Sequence, residues 1–475
     1  MNKIYLTTAI PYVNGRPHVG HAMDYLLADV CARYHRLLGD EVKLQAGADE
    51  HGSKIMQKAL ELNVPVQKYV DENTAGFKDF IKKLNVSYTD FVRTTDVEHE
   101  KRCQEIWQRL AEHIYMAEYE GWYCDGCERY ITEKEYEENG GVCPDHQKPY
   151  HKLKEENYYF RIADFKEQIR EAIESGKMKI LPSFRAKEIL KLLEESPDVS
   201  VSRPVSQLEW GVPVPGDDSQ TMYVWIDALS NYLTILGYPD NDISDWWPAE
   251  AQFVGKDILR FHAIIWPAML LGLGLELPKT IVSHGMVLSN GQKMSKSIGN
   301  VVDPMEVLEQ YGLDAFRYYF LRHVDTFDDS DFTWEKFENA YNNELANDFG
   351  NLVQRLATLA GKNGVLKVNE TNVAKMPDEY MKLMNSYNYS GAFDFVWEMV
   401  QELNRRIDEE KPWVLAKNGE TDKLQNCLMS LIQDLLNVNY LLSPFLPDAT
   451  SRVCEIFSEP IKPPEIPLFP KKITP

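Results

Sequence analysis

The sequence predicts an α/β protein: a doubly wound parallel sheet split by an insertion and followed by an all-α helical bundle. Three observations predict it. Short apolar runs alternate with amphipathic helical stretches in the first part of the chain, the rhythm of parallel strands covered by helices. That rhythm breaks in a cysteine-containing stretch near residue 120, and past about residue 335 apolar residues recur at helical spacing alone.

Strand-like runs at residues 3–10 and 42–46 alternate with helical patterns at about 18–38 and 51–62. From about residue 116 the chain turns irregular and charged, which reads as an insertion. Sheet character is predicted to resume at 221–226, 252–255 and 280–283. Beyond it, Leu345, Phe349, Leu352, Leu356 and Leu359 form one stripe at spacings of four and three, and Leu424, Leu428, Leu431, Leu435, Val438 and Leu442 form another. These are core faces of a bundle. The expected division is residues 1–115 and 221–300 as the two halves of a Rossmann-like domain, 116–220 as the insertion with a metal knuckle at about 121–151, 301–335 as a connecting stem, and 336–475 as the helical domain. The proline-rich stretch 460–475 is expected to lie over the surface.

A chain of 475 residues exceeds one compact core, so several domains are expected. There is no apolar leader before the Pro11–Gly15 turn, and the most apolar later stretch, residues 264–277, is short and broken by Pro267 and glycines. A soluble, cytoplasmic protein without membrane association is therefore expected. Cys31, Cys103, Cys427 and Cys454 are scattered through helical patterns and read as buried small hydrophobes, with no disulfide framework. A net charge of −22 excludes a non-specific nucleic-acid binder, so any RNA contact must be local.

Two distant motifs carry the chemistry. His18-Val19-Gly20-His21 follows the first strand and opens a helix, where backbone N–H groups and the helix dipole favour phosphate. Gly20 would let the backbone approach a ligand, and the histidines would donate to phosphate oxygens. Lys293-Met294-Ser295-Lys296-Ser297 lies among Gly285, Gly291 and Gly299, which suits a loop carrying ammonium groups to moving phosphates. Together they point to ATP. No Gly-x-Gly-x-x-Gly follows the first strand, which disfavours a dinucleotide-dependent dehydrogenase.

Cys124-x-x-Cys127, fifteen residues, then Cys143-x-x-His146 gives two pairs of soft ligands at tetrahedral zinc spacing. Four protein ligands leave no open position, so the site reads as structural. His151 is a second candidate for the fourth ligand.

The two nucleotide motifs resemble those of class I aminoacyl-tRNA synthetases, and further residues make nearly the whole chain similar to the methionyl-tRNA synthetases. That resemblance implies methionine activation by ATP, giving methionyl-adenylate and pyrophosphate, then transfer of methionine to the terminal ribose of tRNA(Met). It implies that His18, Gly20 and His21 contact the phosphates, that Lys293 and Lys296 stabilise the departing pyrophosphate, that Lys256 and Asp257 touch the nucleotide, and that Mg²⁺ accompanies ATP. Asp49 would hold the substrate ammonium. Ala9, Ile10 and Tyr12 would form one side of the methionine pocket, and Trp225, Ala228, Leu229, Tyr232, Ile258 and His262 the rest. Asn351, Arg355 and Trp413 would read the anticodon, although Trp413 could equally anchor the bundle. Two departures stand out: Leu229 replaces a proline found in some relatives, and the Cys₃His pattern replaces a Cys₄ set. A monomer is expected, because no appended tRNA-binding module follows the bundle. The rival readings are another class I synthetase, for which the short insert leaves no room for an editing domain, and a nucleotidyltransferase or RNA-binding relative of the same fold.

Overall fold

The computed structural model describes residues 1–127, 129–294, 302–365, 376–458 and 460–472. Its centre is a six-stranded sheet of β1 (Lys3–Thr8), β2 (Glu41–Ala48), β3 (Asp90–Arg93), β4 (Lys179–Leu181), β5 (Ala251–Gly255) and β6 (Thr280–His284), in the order β3-β2-β1-β5-β6-β4. Every pairing is parallel. Apolar side chains are buried on both faces, which is why these strands read as unbroken apolar runs. The order reverses between β1 and β5, so a crevice opens beyond their carboxyl ends, where open α/β sheets bind ligands.

Helices α1 (Val19–Leu37) and α3 (Val224–Thr234) line that crevice, and α2 (Val97–Arg109) shares a core with α3. The predicted strand at 221–226 is corrected here. Only Gln220–Met222 is extended, it pairs antiparallel with Ser202–Pro204 outside the main sheet, and Val224 already begins α3. Four consecutive β-forming residues, Tyr223 to Ile226, mimic a strand, but Ile226, Leu229 and Leu233 recur on one buried helical face. The stretch read as insertion also returns to the sheet, because β4 pairs with β6 at its edge. Three residues carry too little periodicity to announce themselves. The remainder of the stretch contributes a four-stranded antiparallel sheet built on Ile114–Cys124 and His151–Phe160.

After the stem helix α4 (Leu313–Arg322), the helical domain packs α5 (Asn351–Lys362), α6 (Tyr389–Glu410), the short α7 (Pro412–Lys417) and α8 (Thr421–Leu442). Both predicted stripes face its core: Leu345, Leu352, Leu356, Leu428 and Leu435 are fully buried. That core is continuous with α1 and the adjoining sheet face, whereas α2, α3 and the opposite face belong to a second core. The proline-rich tail runs along the helical domain with Ile461, Leu468 and Phe469 buried. Among the four scattered cysteines, Cys31 and Cys103 are buried, Cys427 is half-buried and Cys454 is exposed, since it occupies the outer face of the last helix. Among the described residues, no helix is long and apolar enough to cross a membrane.

Candidate functional site

One cavity of about 460 Å³ lies at the carboxyl ends of β1, β2, β5 and β6. It is lined by His18, Gly20 and His21 at one end, by Lys293 and Met294 across from them, and by Asp49, Trp225, Tyr232 and His262 at the other. Two motifs some 270 residues apart in sequence therefore share one crevice.

His18 caps α1. Its Nδ1 accepts the Gly20 backbone N–H at 3.1 Å, while the His18 N–H donates to His21 Nδ1 at 3.2 Å. The two rings stack at 3.8 Å, and the edge of Phe77 holds His21 from behind. With both Nδ1 atoms accepting, each neutral ring must carry its proton on Nε2 and present a donor. Gly20 lines the cleft and also makes room for the His18 ring folded back over the helix end, since a Cβ there would stand 2.9 Å from it. Asp24, one turn further along α1, pairs with His284 Nε2 at 3.0 Å, and both line the cleft. Burial pushes the Asp24 carboxyl up. Burial works against charge on His284, but Asp24 holds its titration above the usual imidazole range.

The other end is built on tight main-chain ties. Asp49 N–H donates to Pro11 O at 2.9 Å and Val13 N–H to Asp49 O at 3.0 Å, clamping the segment after β1 to the end of β2. This sets Ala9, Ile10 and Tyr12 beside Asp49. The Asp49 side chain is buried, and its Oδ1 has no hydrogen-bond partner. Burial and then the nearby Asp227 carboxylate push its carboxyl well above the usual range. Such a group calls for a cation. Opposite, α3 presents Trp225, Ala228, Leu229 and Tyr232, with Trp225 stacked flat on Phe261 at 3.8 Å. Phe261–Ile265 is a π-helical turn, which brings His262 towards the cleft. His262 Nδ1–H donates to Ile258 O at 3.0 Å, so its Nε2 receives the Tyr232 hydroxyl at 2.8 Å. Burial pushes His262 down to about 4, leaving a neutral ring and an oriented phenol among apolar walls.

Asp257 and Ile258 follow β5 into the cleft, with Asp257 exposed beside Gly255. Lys256 is not among the lining residues: its ammonium sits 2.6 Å and 2.7 Å from the two oxygens of Asp329, tying β5 to the segment after α4. Lys296 lies outside the described residues. Asp24, Lys54, His284, Met286 and Val287 also line the cavity and were not anticipated from the sequence. Only their position one turn beyond a motif, or just after a strand, could have suggested them.

The ligand atoms of Cys124, Cys127, Cys143 and His146 all lie within 4.8 Å of one another. Cys127 Sγ is 3.6 Å from Cys143 Sγ, and both sulfurs lie 3.5 Å from His146 Nδ1. Thiolates sharing a tetrahedral zinc at its usual bond length stand about 3.7 Å apart, so the set fits such a metal. Gly126 makes room for it, since a Cβ there would meet the His146 ring at 2.3 Å. His151 is not in the cluster and pairs instead with Asp125 at 3.6 Å. Among the described residues, the knuckle's core is Cys124, Ile131, Cys143 and Tyr150 with Trp122 and Tyr136 packed against it, small enough that a bound metal would contribute much of its stability. Cys127 also lines the main cavity, so the knuckle abuts the cleft.

On the helical domain, the Arg355 guanidinium lies 5.7 Å from the Trp413 ring centroid and 2.7 Å from Asp408. Trp413 is 40% exposed and therefore does not anchor the bundle. Lys411, in the left-handed region at φ 46°, turns the chain between α6 and α7, and Trp413 stands at the start of α7. Asn351 is exposed at the start of α5, one turn before Arg355.

Residues 4–357 match the family profile described as tRNA synthetases class I (M). The methionine–tRNA ligase of Thermotoga maritima is 38% identical over 95% of this chain and 74% of its own length. That of Caldanaerobacter subterraneus subsp. tengcongensis is 41% identical over 95% and 73%. The structure of Mycobacterium tuberculosis methionyl-tRNA synthetase in complex with methionyl-adenylate superposes with a TM-score of 0.91 at 32% identity, covering 99% of this chain and all of that one.

Proposed function

The chain belongs to the class I (M) tRNA synthetases, and from that premise we infer how its cleft makes methionyl-adenylate from methionine and ATP and passes the methionine to tRNA. One observation carries the reading. A single crevice joins the stacked His18–His21 pair and Lys293 to a buried, cation-seeking carboxylate beside an aromatic pocket.

Asp49 takes the methionine ammonium. The thioether lies against Trp225, with the Tyr232–His262 pair as the small polar contact for sulfur; a neutral His262 suits that role, since a charged ring would favour a more polar side chain. Ala9, Ile10, Ala228, Leu229 and Ile258 close the apolar wall. The amino-acid carboxylate then faces the α-phosphate of ATP, and the reaction is an in-line displacement that needs positioning and charge neutralisation but no protein nucleophile. His18 and His21 offer Nε2–H donors to the phosphates. Lys293 and Lys296 neutralise the departing pyrophosphate, with Mg²⁺ carried in on the triphosphate. Asp257 is placed for the nucleotide; Lys256 serves it indirectly, through its tie to Asp329.

Zinc is the metal proposed for Cys124, Cys127, Cys143 and His146, where it supplies fold and no chemistry. Asn351, Arg355 and Trp413 offer a hydrogen-bonding amide, a cation and a ring face on one exposed surface, which suits splayed bases of an RNA loop. The chain's net charge of −22 makes this a local contact.

Pyrophosphate exchange with ATP, run across the amino acids, tests the reading. Exchange dependent on methionine is expected; activity with leucine but not methionine would overturn it.

A further inference from the structure

Asp49 does not stand alone at the end of β2. Two residues on, His51 is 3% exposed, and its Nδ1 lies 2.7 Å from Asp227 Oδ2 on α3. The other Asp227 oxygen lies 2.7 Å from His99 Nε2 on α2, and His99 Nδ1 reaches back to the Thr234 hydroxyl of α3 at 2.7 Å. On its far side, His51 Nε2 is 3.5 Å from Glu100 Oε1. A buried carboxylate between two imidazoles thus joins the strand end that carries Asp49 to the helix that carries Trp225, Ala228 and Tyr232.

We propose that His51 and Asp227 are positioning residues for methionine recognition: the His99–Asp227–His51 relay fixes the end of β2 against α3 and sets a buried positive charge beside Asp49. This rests on the reading of Asp49 as the ammonium contact. Two carboxylates buried in one region, Asp49 and Asp227, cannot both ionise cheaply; the weaker acid, Asp49, is pushed up, and a cation beside them lessens that push. His51 is that cation. Burial favours its neutral form, but Asp227 from α3, Glu100 from α2 and Asp49 from its own strand end hold it up at about 10, while burial's pressure on Asp227 is outweighed by His51 and His99, bringing that carboxyl down to about 2. Two further titratable groups stand nearby: Glu50 is engaged by Arg93 Nε at 2.7 Å, and the Cys103 thiol of α2 lies 3.2 Å from His99 Nε2 and 3.8 Å from Asp227 Oδ1, where burial and then Asp227 push it well up and keep it neutral. His51 works against the burial and the repulsion that raise Asp49, so the substrate ammonium displaces Asp49's proton more readily.

His51→Asn tests this, because it keeps an N–H donor towards Asp227 and removes the charge. In methionine-dependent pyrophosphate exchange, the KM for methionine is expected to rise about tenfold, the effect of one pKa unit on a charge pair. The kcat and the KM for ATP stay near wild type. On acidification, methionine binding is lost at a higher pH than in wild type. Competition with the des-amino analogue of methionine gives a second readout: the wild-type preference for the ammonium-bearing ligand shrinks by the same factor. Equal weakening of both ligands, or a fall in kcat at unchanged KM, would show a scaffold only and overturn the proposal. Should His51→Asn not fold, Glu100→Gln replaces a side chain 37% exposed and must raise the methionine KM by a smaller factor; no change there overturns it as well. A wild-type chain without methionine-dependent exchange would sink the functional reading itself, whereas an active wild type with an indifferent His51→Asn sinks the relay alone.

Discussion

Arg317 of α4 is fully buried and meets Asp29 of α1 at 2.8 Å, both side chains wholly out of solvent. The guanidinium also donates to Phe445 O at 2.6 Å, Pro444 O at 3.0 Å and Leu84 O at 3.2 Å, and Asp29 accepts from Ser87 and Arg33 as well. One ion pair therefore joins the helix that His18 caps to the stem and to the segment just after α8. Burial alone would raise Asp29, but Arg317 and Arg33 hold its carboxyl below the usual range.

Removing Arg317 leaves Asp29 with Arg33 as its remaining countercharge and takes the guanidinium donor from the carbonyls of Phe445, Pro444 and Leu84. Arg317→Met is expected to lose about 3–5 kcal/mol of stability, read by thermal or denaturant unfolding. The double variant Asp29→Asn/Arg317→Met should recover part of that loss, because the half-compensated carboxylate goes with it. A double variant less stable than Arg317→Met would contradict this account.

The His51–Asp227 pair makes stability depend on pH at both ends. His51 titrates at about 10 in the fold and near 6.5 unfolded, so its contribution is complete below about 6.5 and is lost as pH rises towards about 10. Asp227, at about 2 against an ordinary 3.8, contributes above about 3.8 and loses that contribution as pH falls towards about 2. Tm measured against pH should decline through the alkaline window, and His51→Asn should flatten the decline. Parallel curves for the two proteins would refute it.

Much of this architecture was legible in the chain. β1, β2, β5 and β6 announced themselves as apolar runs because parallel strands are buried on both faces, and the cysteine spacing announced the knuckle because metal geometry fixes it. The convergence of His18 and Lys293 followed from their shared chemistry. What escaped detection is set by tertiary partners that local patterns do not contain. α3 begins with three strand-forming residues, Val224 to Ile226, directly after Tyr223, and its helical burial pattern shows only in the residues that follow. β4 is three residues long. His51, Asp227 and His99 are 128 residues apart between the last two, so nothing local pairs them. Lys256 follows a strand end as a nucleotide ligand would, yet Asp329 claims it.

Lys293→Ala is expected to slow adenylate formation about 10²-fold while leaving methionine affinity nearly unchanged, because a cation that meets charge only as pyrophosphate departs stabilises the transition state. Lys296→Ala should behave alike. Single-turnover adenylate formation beside equilibrium methionine binding separates the two effects, and equal losses in both would assign the lysines to ground-state binding.

Chelation should loosen the knuckle. With so small a core behind Cys124 and Cys143, metal removal is expected to open protease sites between residues 121 and 151 while the six-stranded sheet stays intact. Since Cys127 lines the cleft, the KM for ATP or methionine should rise at the same time. Gly126→Ala should mimic chelation at ordinary metal concentration, its Cβ driving His146 off the cluster. Full protease resistance in the chelated protein would show that the knuckle holds itself together.

Trp413→Ala separates the two ends of the molecule. The ring is 40% exposed and, among the described residues, lies under the Arg355 guanidinium, so its loss should cost little stability. A base stacked on an aromatic face contributes about 1–3 kcal/mol, which predicts a fall of roughly tenfold to a hundredfold in kcat/KM for tRNA. Pyrophosphate exchange, which needs no tRNA, should be untouched. A parallel fall in exchange would place Trp413 in the coupling between the bundle and α1, and would remove it from the RNA-facing surface.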